Sequence, residues 1–434
     1  MTFKVSSLLY LTLFSMLVWP PYIGMRLSLI FIQPFKLLLL VFLVISSINY
    51  LVKPSYFLGQ IRELFKSTIG KWAICFLAFS AVATIANGID SISIKFISNS
   101  VILLLLCLFG GFYFDECEYK CSPLVVLAVI GGLLGLFGVL EFITQSNFLK
   151  QFAVISKDKA DIAFMLVAAS DKTRGSYRSQ ATFIHPLVLA QFLVIAIPFI
   201  YLRCKQAPNS KSRILYYCLL VSAVSGLYCT GSRAAFSVLL IFIILYILAG
   251  SRSIFSAANR GIRLVLPIFA SIFLVIVILI FINIIETKLK KSSKIETSST
   301  IARLIMLENT IDAVRDRPIW GWGPGTAATI AGIDNDSGGT IDSFYMTTSV
   351  ERGLPALLLL IILQLNVIWY GYKRWVKAKD KESFFIGVNT IALSGYFLIS
   401  LILSIDYLMP LAFFLIGLQA RSSFKSINSS MLTS

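Results

Sequence analysis

Residues 123–143 read PLVVLAVIGGLLGLFGVLEFI and hold a single charged side chain, Glu141, near their end. About 20 consecutive apolar residues match the hydrocarbon thickness of a bilayer, so this stretch reads as a membrane-crossing helix. Similar runs lie near 5–22, 30–52, 72–88 and 96–114 on one side of it. On the other side they lie near 183–202, 214–229, 234–250, 264–285, 353–371, 384–404 and 407–420. The composition agrees: 57% of the 434 residues are hydrophobic and 14% charged, where soluble domains run at roughly 45–50% and about 25%. A soluble enzyme is excluded. The expected fold is an all-α integral membrane protein of about 12 transmembrane helices, with a large outer loop containing amphipathic helices.

Lys4 precedes an apolar run to Trp19 that ends in Trp19-Pro20-Pro21-Tyr22 rather than in a small-residue cleavage site. It reads as an uncleaved first span with an aromatic interfacial end. Five of the seven cysteines (Cys75, Cys107, Cys204, Cys218, Cys229) sit inside apolar runs as small hydrophobes, which argues against a disulfide framework. Cys117 and Cys121 form a Cys-x3-Cys pair, but the only histidine, His185, is far along the chain, and a zinc site needs two more ligands. No metal and no cofactor is expected.

The net charge of +17 is unevenly placed. With the N-terminus in the cytoplasm, the short inward loops carry Lys53, Arg62, Lys66 and Lys71, then Arg203, Lys205, Lys211 and Arg213, then Arg252, Arg260 and Arg263, and finally Lys373, Arg374, Lys377, Lys379 and Lys381. The short outward loops show only Arg26, Lys95 and Arg233. This positive-inside bias places both termini in the cytoplasm. Two long outward segments carry a second basic group: Lys150, Lys157, Lys159, Lys172, Arg174 and Arg178 in 144–182, and Lys288, Lys290, Lys291, Lys294, Arg303, Arg315, Arg317 and Arg352 in 286–352. The chain thus divides into an N-terminal bundle of about five spans (1–143), a first outer loop (144–182), central spans with a break at Arg233 (183–285), a large outer loop (286–352), and C-terminal spans with a cytoplasmic tail (353–434).

Within the large loop, Ile301, Leu304, Ile305, Ile311 and Val314 recur at roughly helical spacing up to Pro318, as in an amphipathic helix lying on the outer membrane surface. Gly321-Trp322-Gly323-Pro324-Gly325 follows as a tight turn whose glycines permit unusual backbone, either a plain loop or a close approach to a ligand. Asp342-Ser343-Phe344-Tyr345 and Glu351-Arg352-Gly353 then bring a carboxylate, a tyrosine and an arginine to the mouth of the next span, as a ligand contact or a solvated cap.

Arg233 lies in Thr230-Gly231-Ser232-Arg233, a break of a few residues between two apolar runs. A guanidinium at membrane depth is costly unless paired, for instance with Glu141, or set in a wet cavity, and it marks a functional site. Arg174 and Arg178 fall on the same side just before the sixth span. Three arginines from two outer corners suit the oxygens of a pyrophosphate. His185, at the start of that span, is either a capping residue or a base.

These features together resemble the O-antigen ligase and polymerase superfamily of bacterial envelope glycan assembly. The likeness rests on Thr230-Gly231-Ser232-Arg233-Ala234-Ala235-Phe236, on Arg303 through Gly325, and on Asp342-Ser343-Phe344 through Glu351-Arg352-Gly353-Leu354. The resemblance implies an all-membrane, GT-C-like glycosyltransferase of the inner membrane, with its active site facing the periplasm. Its donor would be an undecaprenyl-pyrophosphate-linked oligosaccharide, held by family arginines that match Arg174 or Arg178 and Arg233. Ligases of the family typically carry a histidine about eleven residues ahead of the glycine that opens the next span; here Asp342 occupies that place, which favours the polymerase branch.

Transfer from a sugar pyrophosphate needs cations for the departing dianion and a base for the acceptor hydroxyl. Asp342, His185 and Glu351 are the candidate bases, and Arg174, Arg178, Arg233, Arg303, Tyr345 and Arg352 the candidate binding residues. The expected activity is metal-independent polymerisation of lipid-linked repeat units in lipopolysaccharide or other surface-polysaccharide biosynthesis. Expected partners are the carrier-linked oligosaccharide, membrane lipids and a chain-length regulator protein, with no nucleic acid. The alternatives are an O-antigen ligase acting on lipid A core and a lipid-linked-oligosaccharide flippase, which would line a central cavity with charge instead of two outer loops.

Overall fold

A computed structural model describes residues 5–20, 25–27, 30–32, 34–52, 54–116, 123–149, 177–243, 294–335, 338–376, 381–404 and 407–431. The expected span at 264–285, the Cys117/Cys121 pair and Arg174 lie outside them. Helices α1 (Val5–Val18), α2 (Pro34–Val52), α3 (Pro54–Lys66), α4 (Thr68–Ala86), α5 (Ser91–Glu116) and α6 (Pro123–Thr144) form the first part. They are followed by α7 (Pro186–Gln206), α8 (Ser210–Cys229) and α9 (Arg233–Ile243). Then come α10 (Lys294–Asp316), α11 (Ala327–Ala331), α12 (Phe344–Val376), α13 (Lys381–Ser400) and α14 (Met409–Met431). Two hairpins of three-residue strands, β1 (Met25–Leu27) with β2 (Ile30–Ile32) and β3 (Ile333–Asn335) with β4 (Gly338–Thr340), are the strands among the described residues.

Six of these helices are long and apolar enough to cross a membrane: Thr68–Ala86, Ser91–Leu108, Val125–Thr144, Pro186–Gln206, Ser210–Cys229 and Phe344–Trp375. Their outward faces expose Val82, Val101, Leu133, Leu136, Val221 and Leu358. Such a surface is stable only against lipid. The protein is an α-helical integral membrane protein with two minor hairpins among the described residues. α7 is buried on all sides from Val188 to Ile200, which makes it the central helix. It packs on α6, α8 and α13. Close crossings are built from glycine: a Cβ on Gly226 would stand 2.5 Å from the Gly135 Cα, so α6 and α8 touch backbone to backbone.

α3 was expected as part of an inward loop; it is a helix that opens on Pro54 and buries Leu64. Proline at a helix's first position sacrifices no hydrogen bond. α2 likewise starts at Pro34, so the span expected from about residue 30 begins at the proline, with β2 preceding it.

The span expected at 353–371 is the longer part of a bent element. Gly353 (φ 81°, ψ 174°) interrupts α12 and divides it into arms 344–352 and 354–376. The Tyr345 hydroxyl lies 2.7 Å from Gln364 Oε1, 19 residues away in sequence. A straight helix would separate those positions by about 28 Å, so the arms fold back on each other in a sharp V.

α10 confirms the helical spacing, with Ile301, Leu304, Ile305, Leu307 and Ile311 exposed. Its packed face is Met306, Thr310 and Ala313, turned toward a small core of Ala327, Ala331, Ile341 and Val350. The apolar stripe therefore faces away from the protein.

Candidate functional site

Two groups of predicted residues are assembled by the fold. The first forms where residues 177–185 cross the C-terminal ends of α6 and α8. Ser179 N donates to the Cys229 carbonyl (2.9 Å) and Ser179 Oγ to the Gly138 carbonyl (2.6 Å). Arg178 Nε donates to the Thr230 carbonyl at 2.8 Å, and the Arg178 stem covers Gly231, whose φ of +64° lets α8 end and α9 begin within three residues. Ser232 Oγ accepts from Ala235 N at the start of α9. Arg233 stands in the first turn of α9 with its side chain exposed. Arg178 and the Arg233 break, read separately in the sequence, are one structural unit.

Glu141, 2% exposed, ends α6 beneath this unit. Its carboxylate accepts from the Tyr177 hydroxyl (2.8 Å), Gln180 N (3.2 Å) and Ala181 N (2.7 Å). The sequence offered Glu141 as a pairing partner for Arg233, whereas the structure engages it with the turn at 177–181. The available signal was a carboxylate at the end of an otherwise apolar span, which demands donors wherever they come from.

His185 is the N-cap of α7, its Nδ1 accepting from Leu187 N at 3.1 Å. A neutral ring that accepts at Nδ1 carries its proton on Nε2, so capping and acting as a base compete.

The second group surrounds the bend of α12. A helix break leaves carbonyls without intrahelical donors, and the glycine turn supplies them. Trp322 N donates to the Val350 carbonyl (2.8 Å), Gly323 N to the Glu351 carbonyl (3.0 Å), and Leu354 N to the Pro318 carbonyl (2.7 Å). Glu351 Oε1 accepts from Gly325 N at 2.8 Å. A Cβ on Gly321 would stand 2.5 Å from the Val350 carbonyl oxygen. The Gly-x-Gly-x-Gly turn, expected as a loop or a ligand-approaching turn, thus embraces the bend. Trp320 secures it to α4, stacked on Phe79 at 5.6 Å, with its carbonyl taking a hydrogen bond from Asn87 Nδ2 (2.9 Å).

Arg352 is buried with its Cζ 4.3 Å from the Phe96 ring centre and 5.9 Å from that of Phe76, a cation–π contact with α4 and α5 rather than a place on an open surface. Tyr345 points between the arms of the V, near Gln364 and the Phe397 carbonyl (3.1 Å). Arg303 and Asp342 meet: Arg303 Nε is 3.4 Å from Asp342 Oδ2, and both side chains are 45% exposed. Of the candidate bases, Asp342 and His185 are partly exposed and Glu351 is buried.

A many-helix membrane bundle carrying two arginine-bearing assemblies, one at a helix break and one around a bent span, defines a class of membrane protein. Residues 218–361 match the family described as O-antigen ligase. The match spans about a third of the chain, and over that segment the protein is similar to the O-antigen ligase family. It takes in the Arg233 break, α10, the glycine turn and the bend of α12; Glu141, Arg178 and His185 lie before it. A search of curated proteins finds no match.

Proposed function

We propose that the protein polymerises undecaprenyl-pyrophosphate-linked oligosaccharide repeat units, for O-antigen or a related surface polysaccharide, at the periplasmic face of the bacterial inner membrane. The observation that carries this reading is the contact of Arg178 with Thr230, which joins two outer arginine positions at a break between membrane helices. Guanidinium groups there would neutralise the departing pyrophosphate without a metal. Asp342, half-exposed beside Arg303, takes the proton of the acceptor hydroxyl. The exposed apolar stripe of α10 rests on the outer leaflet. Both termini are cytoplasmic, and the expected twelve spans and five-part division of the chain complete the scheme.

Purified protein in detergent micelles, given lipid-linked repeat units alone, is expected to yield products of two or more repeats. Transport has no meaning in micelles, so an absence of product there would favour the flippase. The match to the O-antigen ligase family favours a ligase as the second reading. A ligase would form product only when lipid A core is added, and a strain lacking the protein would show naked core with polymer left on the carrier. Loss of a polymerase leaves single repeats on the core.

A further inference from the structure

We infer that Glu141 is a positioning residue for pyrophosphate binding, acting through Arg178; the inference rests on the polymerase reading of the arginine site. Three donors from one short turn converge on this carboxylate: the Tyr177 hydroxyl at 2.8 Å on Oε1, and Gln180 N and Ala181 N at 3.2 and 2.7 Å on Oε2. Ala181 is held at φ +51°, a left-handed conformation that a residue with a Cβ adopts at a cost. Asn147 Nδ2 fixes the other side of the same residue by donating to its carbonyl at 2.8 Å. Such a conformation persists because its surroundings over-determine it.

Arg178 lies between the two clamped portions of this turn. On one side Tyr177 is tied to Glu141; on the other, Ser179 is tied to Cys229 and Gly138 and is followed at once by the two amides on Glu141. The Arg178 side chain runs over Gly231 to the Thr230 carbonyl. Glu141 is buried and its donors Tyr177, Gln180 and Ala181 all belong to the turn that carries Arg178, so its effect on ligand should vanish when Arg178 is absent. A residue that merely stabilised the bundle would weaken binding by the same factor with or without the arginine.

The test is a double-mutant cycle on the purified full-length chain in detergent micelles, reading the equilibrium Kd for undecaprenyl pyrophosphate, the donor's carrier without its sugar. Glu141→Ala is expected to raise Kd roughly tenfold in the native background and to leave it unchanged in the Arg178→Ala background. Glu141→Gln is expected to stay within about threefold of the native protein, because its amide oxygen can serve both backbone N–H groups while the Tyr177 hydroxyl turns to accept from its NH2. Should Glu141→Ala fail to fold, Tyr177→Phe removes one donor and keeps the carboxylate. A rise of about twofold that disappears without Arg178 is then expected. Equal penalties in both backgrounds, or an unchanged Kd in Glu141→Ala, would overturn the inference while leaving the pyrophosphate site standing. A native protein that does not bind the probe would overturn both.

Discussion

Glu351 Oε1 accepts a hydrogen bond from Gly325 N at 2.8 Å, while the backbone carbonyl of the same residue accepts from Gly323 N at 3.0 Å. One residue therefore holds two successive glycines of the turn against the bend of α12. A carboxylate used in this way is a structural acceptor, and its amide analogue can do the same work. Glu351→Gln is expected to retain transfer activity within about fivefold and Glu351→Ala to lose stability by about 1–3 kcal/mol. A general base would instead show a loss of roughly 100-fold or more in the amide variant, read as initial rate of product formation.

The bend itself is open to a direct test. Gly353 sits at φ +81°, ψ 174°, and a Cβ there would collide with the Ile319 carbonyl. Gly88 has φ +107°, and a Cβ added to it would meet nothing within 4 Å. Gly88→Ala measures backbone strain alone, about 1 kcal/mol, whereas Gly353→Ala adds collision with the chain and should cost about 3 kcal/mol or more. Thermal unfolding in detergent of the two variants reads the difference; equal shifts would show that the turn and bend do not depend on close approach.

The apolar spans were legible because lipid imposes a length on them: the run at 123–143 and helix α6, Pro123–Thr144, differ by one residue at one end. The helix around Ile301 to Val314 was legible from its period, and the break before Arg233 from the short polar interruption between two apolar runs. What stayed hidden depends on partners distant in sequence. Nothing local in Phe344–Val376 shows that the Gly353 bend turns the element back until Tyr345 meets Gln364. Nor does local sequence show that Arg352 faces Phe96 instead of the outer surface. The sequence left the glycine turn open between a plain loop and a ligand approach because positive-φ glycines serve both ligand approach and chain approach; here Gly321 and Gly323 serve the bend.

His185 separates cap from base by substitution. Asparagine is among the best N-cap residues, and its side-chain oxygen can take over the bond from Leu187 N. His185→Asn is expected to keep both stability and turnover close to the native values, while His185→Ala loses about 1 kcal/mol of stability. Activity that falls roughly 100-fold in the asparagine variant, with an unchanged unfolding temperature, would assign the base to the imidazole.

Asp342 is then the residue whose loss should be chemical and not structural. Its ion pair with Arg303 spans 3.4 Å between half-exposed side chains, and exposed pairs contribute at most about 1 kcal/mol. Asp342→Asn keeps the shape of the side chain and removes its charge and its capacity to take a proton. Its unfolding temperature should stay near the native one while product formation falls roughly 100-fold. Arg303→Ala breaks the same pair from the other side but leaves the carboxylate, so it should retain most of the activity. If both variants lose activity equally, the pair acts as a unit and Asp342 is not the base. If neither does, proton transfer belongs elsewhere. The expected pattern, one variant inactive and the other active at equal stability, arises only when the carboxylate itself meets the acceptor.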